Sequence, residues 1–319
     1  MENTRKLTLE EIHRCSEELR SWNRWGQDDE VGTLNFATPE KVVEAAKLIT
    51  KGETFALAIN FDAKGPQSGG GLGRFNPVHA MTATGIDAIH GVQDDMKIRY
   101  ADDLLSLPIH AATHWDSLSH IFYDTYQWNG YPAELVSAKG AQKNGIEKVK
   151  DRMVGRGILL DIARYKGVEA LDDGYAITNE DLDRCAENQN VKVDSGDFLL
   201  IRTGQLGERL RAGGWGGYAG GDAPGLAFET LRWLHEHEVA AVASDTWGVE
   251  VRPNETDEAY QPWHWVAIPN MGLSVGEMFY LEELAEGCAG DGRYEFFFIA
   301  PPLPIPGGSG SPVNPIAIK

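Results

Sequence analysis

"GILLDI" at residues 157–162 and "DFLLIRT" at 197–203 are short apolar runs that lack the three-to-four-residue spacing of an amphipathic helix. Runs of this length, rich in Ile and Leu, suit strands buried on both faces. Two more follow, "VAAVASD" at 239–245 and "YEFFFIA" at 294–300. Helical patterns separate them: "TNEDLDRCAEN" after Thr178, and "LAFETLRWLHEHE" after Pro224-Gly225. Strands alternating with helices predict an α/β fold with at least partly parallel pairing. No repeat or linker interrupts the pattern, so the expectation is one domain over residues 1–319, a mixed β-sheet core with flanking helices.

Toward the start, "TLEE" opens a helix expected to run to about Ser21, with Thr8 and Glu11 forming a capping box. A second helix follows "ATPEKVVEAAKLI", with Thr38 as cap and Pro39 at the first helical position. These two form a helical extension over about residues 1–50. "TFALAI" then alternates Phe55, Leu57 and Ile59 on one face, a strand signal. "GPQSGGGLGRFNP", residues 65–77, is a glycine-rich stretch without the Lys-Ser/Thr of a phosphate loop, and is expected to be a mobile or ligand-covering loop. Residues 301–319, rich in Pro and Gly, are expected to lie as an extended arm and not as helix or central strand.

Composition narrows the function. A formal net charge of -19 disfavours nucleic acid and anionic membrane surfaces as partners. The first residues lack an apolar signal-peptide core, and no run approaches the ~18 apolar residues of a membrane span, which makes a cytoplasmic protein the expectation. Cys15, Cys185 and Cys288 are odd in number and widely spaced, suggesting buried thiols and neither a disulfide framework nor a thiolate metal site.

The chemistry concentrates in "PIHAATHWDSLSH", residues 108–120, where His110, His114, Asp116 and His120 fall within eleven residues of a chain with nine histidines. Imidazole and carboxylate are the ligands that zinc and manganese accept. In extended chain His114 and Asp116 share a face with Cα atoms roughly 6.6 Å apart, a chelating pair. His110 and His120 share that face too, but ten residues of straight strand would span ~33 Å, so the segment must bend to gather all four. Ala111 and Ala112 leave room for the bend.

"HAATHWDSLSH" resembles the HxGTHxDxPxH signature of the cyclase-like metal-dependent hydrolases, the family of bacterial kynurenine formamidase and isatin hydrolase. "WGQDDEVGTLN", "FNPVHAMTATGID", "LIRTG", "PGLAFETLRWL" and "HWVAIPNMGLSVGE" extend the resemblance over most of the chain. Ala112 and Leu118 replace the pattern's glycine and proline, changes of backbone tolerance that suggest a subgroup with its own substrate pocket. The resemblance implies a swivelling β/β/α fold, a homo-oligomer (dimer or tetramer), and an arylformamidase- or isatin hydrolase-like amidohydrolase that cleaves an amide, lactam, formamide or lactone of a small molecule. It implies His110, His114 and Asp116 as ligands of a first divalent metal, zinc or manganese. His120 and Glu277 then lie at a second metal position, or His120 supports a single one. His264 is by resemblance a second-metal ligand or, in a one-metal enzyme, a general acid, so His264 and His120 are the candidate catalytic residues.

Trp115, Phe122, Trp247 and Trp263 lie beside these positions and are candidate walls for an aromatic or flat apolar substrate. His13, His79, His90, His235 and His237 lack such convergence. Two rivals share the same residue types: a non-haem iron oxygenase with two His and one carboxylate, and a non-catalytic metal or small-ligand binder. The compact motif on an α/β pattern disfavours the first; a fully protein-filled coordination shell would mark the second.

Overall fold

Each of the four apolar runs forms a strand, and together with five others of three or four residues they make one mixed, curled sheet. The computed structural model describes residues 6–67 and 72–319. The sheet strands in chain order are β1 (Thr54–Ala56), β2 (His114–Asp116), β3 (Val154–Asp161), β4 (Phe198–Arg202), β5 (Ala241–Ser244), β6 (Ser274–Glu277), β7 (Glu295–Ile299), β8 (Gly310–Pro312) and β9 (Ile316–Ile318). Their spatial order is β1-β9-β7-β3-β4-β5-β6-β2-β8. β3, β4, β5 and β6 pair in parallel, and every pairing outside that quartet is antiparallel.

The apolar runs are continuous because both sheet faces are covered. On β3, Ile158 and Leu160 enter one core with Leu199, Ile201, Val242 and Val275, while Leu159 enters the opposite core with Phe198, Leu200, Phe296 and Phe298. The first core is closed by α1 (Leu9–Glu18), α2 (Asn179–Asn188), α3 (Thr230–Glu236) and α4 (Pro262–Val266) through Ile12, Leu182, Leu231 and Trp263. The second is closed by α5 (Glu282–Asp291) through Leu284 and Ala285, with Leu57 and Trp115 beside them.

Thr8 and Glu11 make the expected capping box, but α1 stops three residues early, at Glu18. Thr178 caps α2 in the same way. The helix from Pro39 to Ala46 has Pro at its first turn, yet the Thr38 hydroxyl accepts from none of its N–H groups. "LAFETLRWLHEHE" is helical only from Thr230 to Glu236, because Gly225–Leu226 pair as extended chain with Ala176–Ile177. β1 is short, but the alternation read in "TFALAI" continues beyond it, with Leu57 and Ile59 buried.

The last segment departs from expectation. Residues 301–319 supply two strands, and β9 lies inside the sheet between β1 and β7, not along its rim. Its prolines fall outside Ile316–Ile318, so both ladders of that strand keep their N–H donors. The helical extension is likewise part of the body: Ile12 and Cys15 of α1 and its C-cap Leu19 share a core with Trp263, and the Ser21 N–H donates to the Asn270 carbonyl at 2.9 Å. At Gly32, φ is +63° and a Cβ would lie 2.1 Å from the Gly272 carbonyl oxygen, so only glycine lets this strap lie against the turn before β6. Residues 68–71 of the glycine-rich stretch lie outside the described residues.

Candidate metal centre

The cluster is assembled by register. β2 runs antiparallel to β6 with Glu277 opposite His114, so the carboxylate at the end of β6 shares a face with the His114–Asp116 pair. On the other side β8 places Gly310 opposite Asp116. A Cβ at Gly310 would stand 2.7 Å from His110 Nε2, so glycine here makes the space in which that ring sits. The expected bend occurs: the strand holds only residues 114–116, and turns on either side bring His110 and His120 back onto it. Their rings stack at 4.2 Å between centroids. Ala112 is buried and has no positive φ, so its methyl group replaces the signature's glycine without backbone strain.

Asp116 Oδ1 is the hub, 3.3 Å from both His110 Nε2 and His114 Nε2 and 3.9 Å from His120 Nε2. Glu277 joins the other side, with Oε2 3.3 Å from His114 Nε2 and Oε1 3.4 Å from His264 Nε2. Donor atoms around a tetrahedral ion bound at about 2.0–2.1 Å lie roughly 3.3–3.4 Å apart. The spacing therefore fits ligands grouped around a cation. His110, Asp116 and His120 form one candidate trio and Asp116, His264 and Glu277 another, sharing the aspartate.

His114 Nε2, Asp116 Oδ1 and His264 Nε2 are buried and, among the described residues, have no hydrogen-bond partner. Buried polar atoms left unpaired cost stability unless something satisfies them, and three that converge suit a cation. Their outer atoms are all held. His114 Nδ1 lies 2.7 Å from the Ala112 carbonyl, so it carries the proton and leaves the Nε2 lone pair for the cluster. His264 Nδ1 lies 2.6 Å from Glu250 Oε1, which also accepts the His264 backbone N–H.

Charge balance follows the same geometry. Burial pushes Asp116 up, but His120, then His114, outweigh it and hold the carboxyl at about 2; Glu277 is likewise held low by His114 and His264 against its burial. Burial pulls His114 and His264 down, yet Asp116 and Glu277 raise the first to about 9, and Glu250 and Glu277 raise the second to about 10. His110 and His120 are pulled below the ordinary imidazole value, chiefly by burial. Two carboxylates thus hold protons on two imidazoles, the compensation that a bound divalent cation replaces while releasing those protons.

A narrow cleft of about 10 Å³, room for about one water, opens onto Asp116, His120, His264 and Glu277, and Arg74, Ile121, Trp247 and Gln261 form its walls. Trp247 is therefore at the site, and Phe122 is exposed next to Ile121. Trp115 and Trp263 are not: successive strand residues face opposite ways, so Trp115 points from β2 into the core and donates to the Ala300 carbonyl, packing against Phe279. Trp263 is fully buried and donates to Thr230 Oγ1. Among the five remaining histidines, His13 bonds Tyr123 and His79 pairs with Asp103, neither partner belonging to the cluster. The three cysteines are free and buried.

Glu250, Arg74 and Gln261 escape a reading of the sequence. Glu250 sits fourteen residues before His264 in no local motif. Arg74 belongs to the glycine-rich stretch, and its guanidinium lies 5.0 Å over the Trp247 ring. It makes no hydrogen bond or ion pair among the described residues.

The fold and this cluster together define an α/β protein with a carboxylate-bridged nest of imidazoles suited to a divalent cation. Residues 32–251 match the sequence family described as "Putative cyclase", and the chain belongs to that family. A crystal structure described as a novel cyclase is 41% identical, covering 94% of this chain and 100% of its own, with a TM-score of 0.85. Isatin hydrolase A from Ralstonia solanacearum matches over 88% of this chain and 98% of its own at 17% identity and a TM-score of 0.63. A predicted metal-dependent hydrolase from Bacillus stearothermophilus matches over 84% and 98% at 16% identity and a TM-score of 0.51. These last two are likenesses of fold. No curated protein matches the chain. Among the described residues no helix is long and apolar enough to cross a membrane.

Proposed function

We propose that this protein is a metal-dependent hydrolase that cleaves the C–N or C–O bond of a small carbonyl compound, an amide, lactam, formamide or lactone. The observation that carries the proposal is that buried polar atoms of His114, Asp116 and His264, without a hydrogen-bond partner among the described residues, meet in one carboxylate-bridged cluster beside a narrow cleft, His114 Nε2 lying 3.3 Å from Asp116 and from Glu277 and His264 Nε2 3.4 Å from Glu277. His110, His114 and Asp116 would hold zinc or manganese, with Glu277 and His264 closing the far side or holding a second ion through the shared Asp116. Such an ion supplies an acidified water at neutral pH and polarises a carbonyl.

The chain's own groups do the rest. His120 is the most exposed of the cluster's imidazoles, with 22% of its side chain accessible where those of His114 and His264 show 0% and 2%, so it is the group placed to pass a proton between the cavity and solvent. His264, enclosed between Glu250 and Glu277, is assigned to holding the ion and not to proton delivery. Trp247 offers a flat apolar wall, and Arg74 over it, without an ion pair among the described residues, carries a positive charge toward the carboxylate that hydrolysis of any of these bonds creates. The fold shared with an enzyme named for isatin, an aromatic lactam, puts lactams and cyclic imides with a flat ring first among the substrates to try.

Metal content of protein purified without added metal, followed by a screen of N-formylkynurenine, isatin, lactones and cyclic imides, tests the proposal. His114→Ala and Asp116→Ala are expected to lose most bound metal and all hydrolysis while circular dichroism stays native. Full metal retention in both variants would overturn the assignment.

A further inference from the structure

One wall of the cleft beside the cluster belongs to Gln261, whose backbone is held against its own preferences. It precedes α4 at φ +52° and ψ +57°, a left-handed conformation uncommon for any residue but glycine. Pro262 follows, and a proline ring crowds the residue before it toward extended chain. Two preferences are broken at one position. Backbone of this kind persists only where its surroundings over-determine it, and it collects at functional sites. Here the hold is explicit: the Gln261 N–H donates to Asn254 Oδ1 at 3.0 Å, and Asn254 Nδ2 donates to Glu250 Oε2 and to the Val251 carbonyl, each at 3.0 Å. Glu250 is also the carboxylate that orients His264, so one network sets both the imidazole and the glutamine.

What the strain achieves is the placement of a side chain. Gly248 keeps the room for it: a Cβ there would stand 2.9 Å from Gln261 Nε2 and 3.8 Å from Glu277 Oε1, so the amide nitrogen and the cluster's carboxylate flank the same glycine. Among the described residues the Gln261 amide makes no hydrogen bond. The other polar walls already have duties. Asp116 and Glu277 are acceptors shared among the imidazoles, His264 lies between Glu250 and Glu277, and the Arg74 guanidinium stacks over Trp247. Gln261 is the one amide on the cleft wall, a donor that needs no protonation and brings no charge. The space it faces takes about one water, or the oxygen of one carbonyl group.

Resting on the hydrolase reading above, we propose that Gln261 is a catalytic residue whose Nε2–H donates to the oxygen of the scissile carbonyl. Water adds to the carbonyl carbon, and the π pair moves onto the oxygen that Gln261 holds. Return of that pair expels the amine or alcohol, which leaves with the proton given up by the water. The hydrogen bond strengthens as the oxygen gathers charge, so it stabilises the transition state more than the bound substrate. Such a donor works best when fixed in advance. The left-handed backbone, tied through Asn254 to Glu250, fixes it.

Kinetics, metal content and thermal unfolding of the metal-loaded full chain test this, using the screened compound that the native protein hydrolyses. Glycine suits the left-handed backbone, so Gln261→Gly is expected to melt at the native temperature or above it, with native metal content, while kcat falls about 10²–10³-fold and KM changes little. Gln261→Glu keeps the size without the donor and is expected to lose as much. Gly248→Ala pushes aside the free end of the glutamine side chain, so kcat is expected to fall in the native background. In the Gln261→Gly background it is expected to change nothing further, because the group it displaces is already gone. Native kcat in Gln261→Gly, or a fall in kcat matched by lost metal or a lower melting temperature, would overturn the assignment of Gln261 alone. A native protein that holds metal and hydrolyses none of the compounds would overturn the hydrolase reading and this assignment with it.

Discussion

Glu250 shows how a residue can be central without belonging to any motif. Its carboxylate accepts from His264 Nδ1 at 2.6 Å and also from the backbone N–H groups of Trp263 and His264, so it both starts α4 and orients the imidazole. Partners of this kind fix the ring orientation and basicity of a metal-binding histidine, and their loss typically costs about 10–100-fold in metal affinity or activity. Glu250→Gln keeps an acceptor for the backbone but removes the charge. It is expected to weaken metal binding by about that factor, measured by competition with a chelator, with the thermal transition little changed. Affinity equal to native would reduce Glu250 to a helix cap. The cluster's ligands were legible because residue types of rare affinity fall close together, His110 to His120 within eleven positions. Glu250 was not, because its contact spans fourteen residues through a loop whose path no local pattern encodes. Trp115 misleads for a related reason: adjacency along the chain places it beside two ligands, while strand alternation turns it away from them.

At the scale of elements, the strands that were easiest to foresee are β3, β4 and β5, buried on both faces so that their sequences read as continuous apolar runs, and β7, whose Phe296 and Phe298 fill one core while its other face is partly buried. β2, β8 and β9 escape such reading, at three residues each, and β9 lies within a proline- and glycine-rich tail whose position is set by the partners it meets. The elements that carry the metal centre belong to this second kind. β6 is tightly constrained: a Cβ at Gly276 would meet Trp115 Cζ3 at 2.7 Å and both the Ala243 Cβ and the Phe279 ring at 2.8 Å. None of these neighbours is the free end of a flexible chain. Gly276→Ala is therefore expected to destabilise by about 1–3 kcal/mol, seen as a lower urea midpoint. Because Glu277 is the next residue and pairs with His114, the same substitution is expected to weaken metal binding. An unchanged midpoint would mean that β6 and β2 can part without loss, which their role in the cluster excludes.

For the whole molecule, buried acids and the net charge of -19 act on stability in one direction. Asp197 and Asp245 are almost fully buried, and burial pushes each up to about 6, against the pull of Arg156 on the first and of the Thr203 N–H on the second. A folded pKa above the unfolded value of about 3.9 means that the native state holds these protons more tightly than the unfolded chain. Their contribution is whole below pH 4 and is lost as pH rises to 6. Each amounts to about 3 kcal/mol at most, and rising negative charge adds to the trend. The opposite slope, from carboxyls held low by cations such as Asp181 beside Lys166 and Asp194 beside Lys192, belongs to pH below 4. The urea midpoint is therefore expected to fall between pH 4 and 6. It is best measured in the Asp116→Ala background, where protons competing with metal at the cluster do not contribute. Asp197→Asn retains an acceptor for the Asp194 N–H, which Asp197 Oδ2 meets at 2.7 Å, and leaves Arg156 paired with Glu295. That variant has no acid to ionise at this position, so its midpoint is expected to fall about half as steeply across the same window. A slope as steep as in the parent would place the titration elsewhere and return Asp197 to an ordinary ion pair.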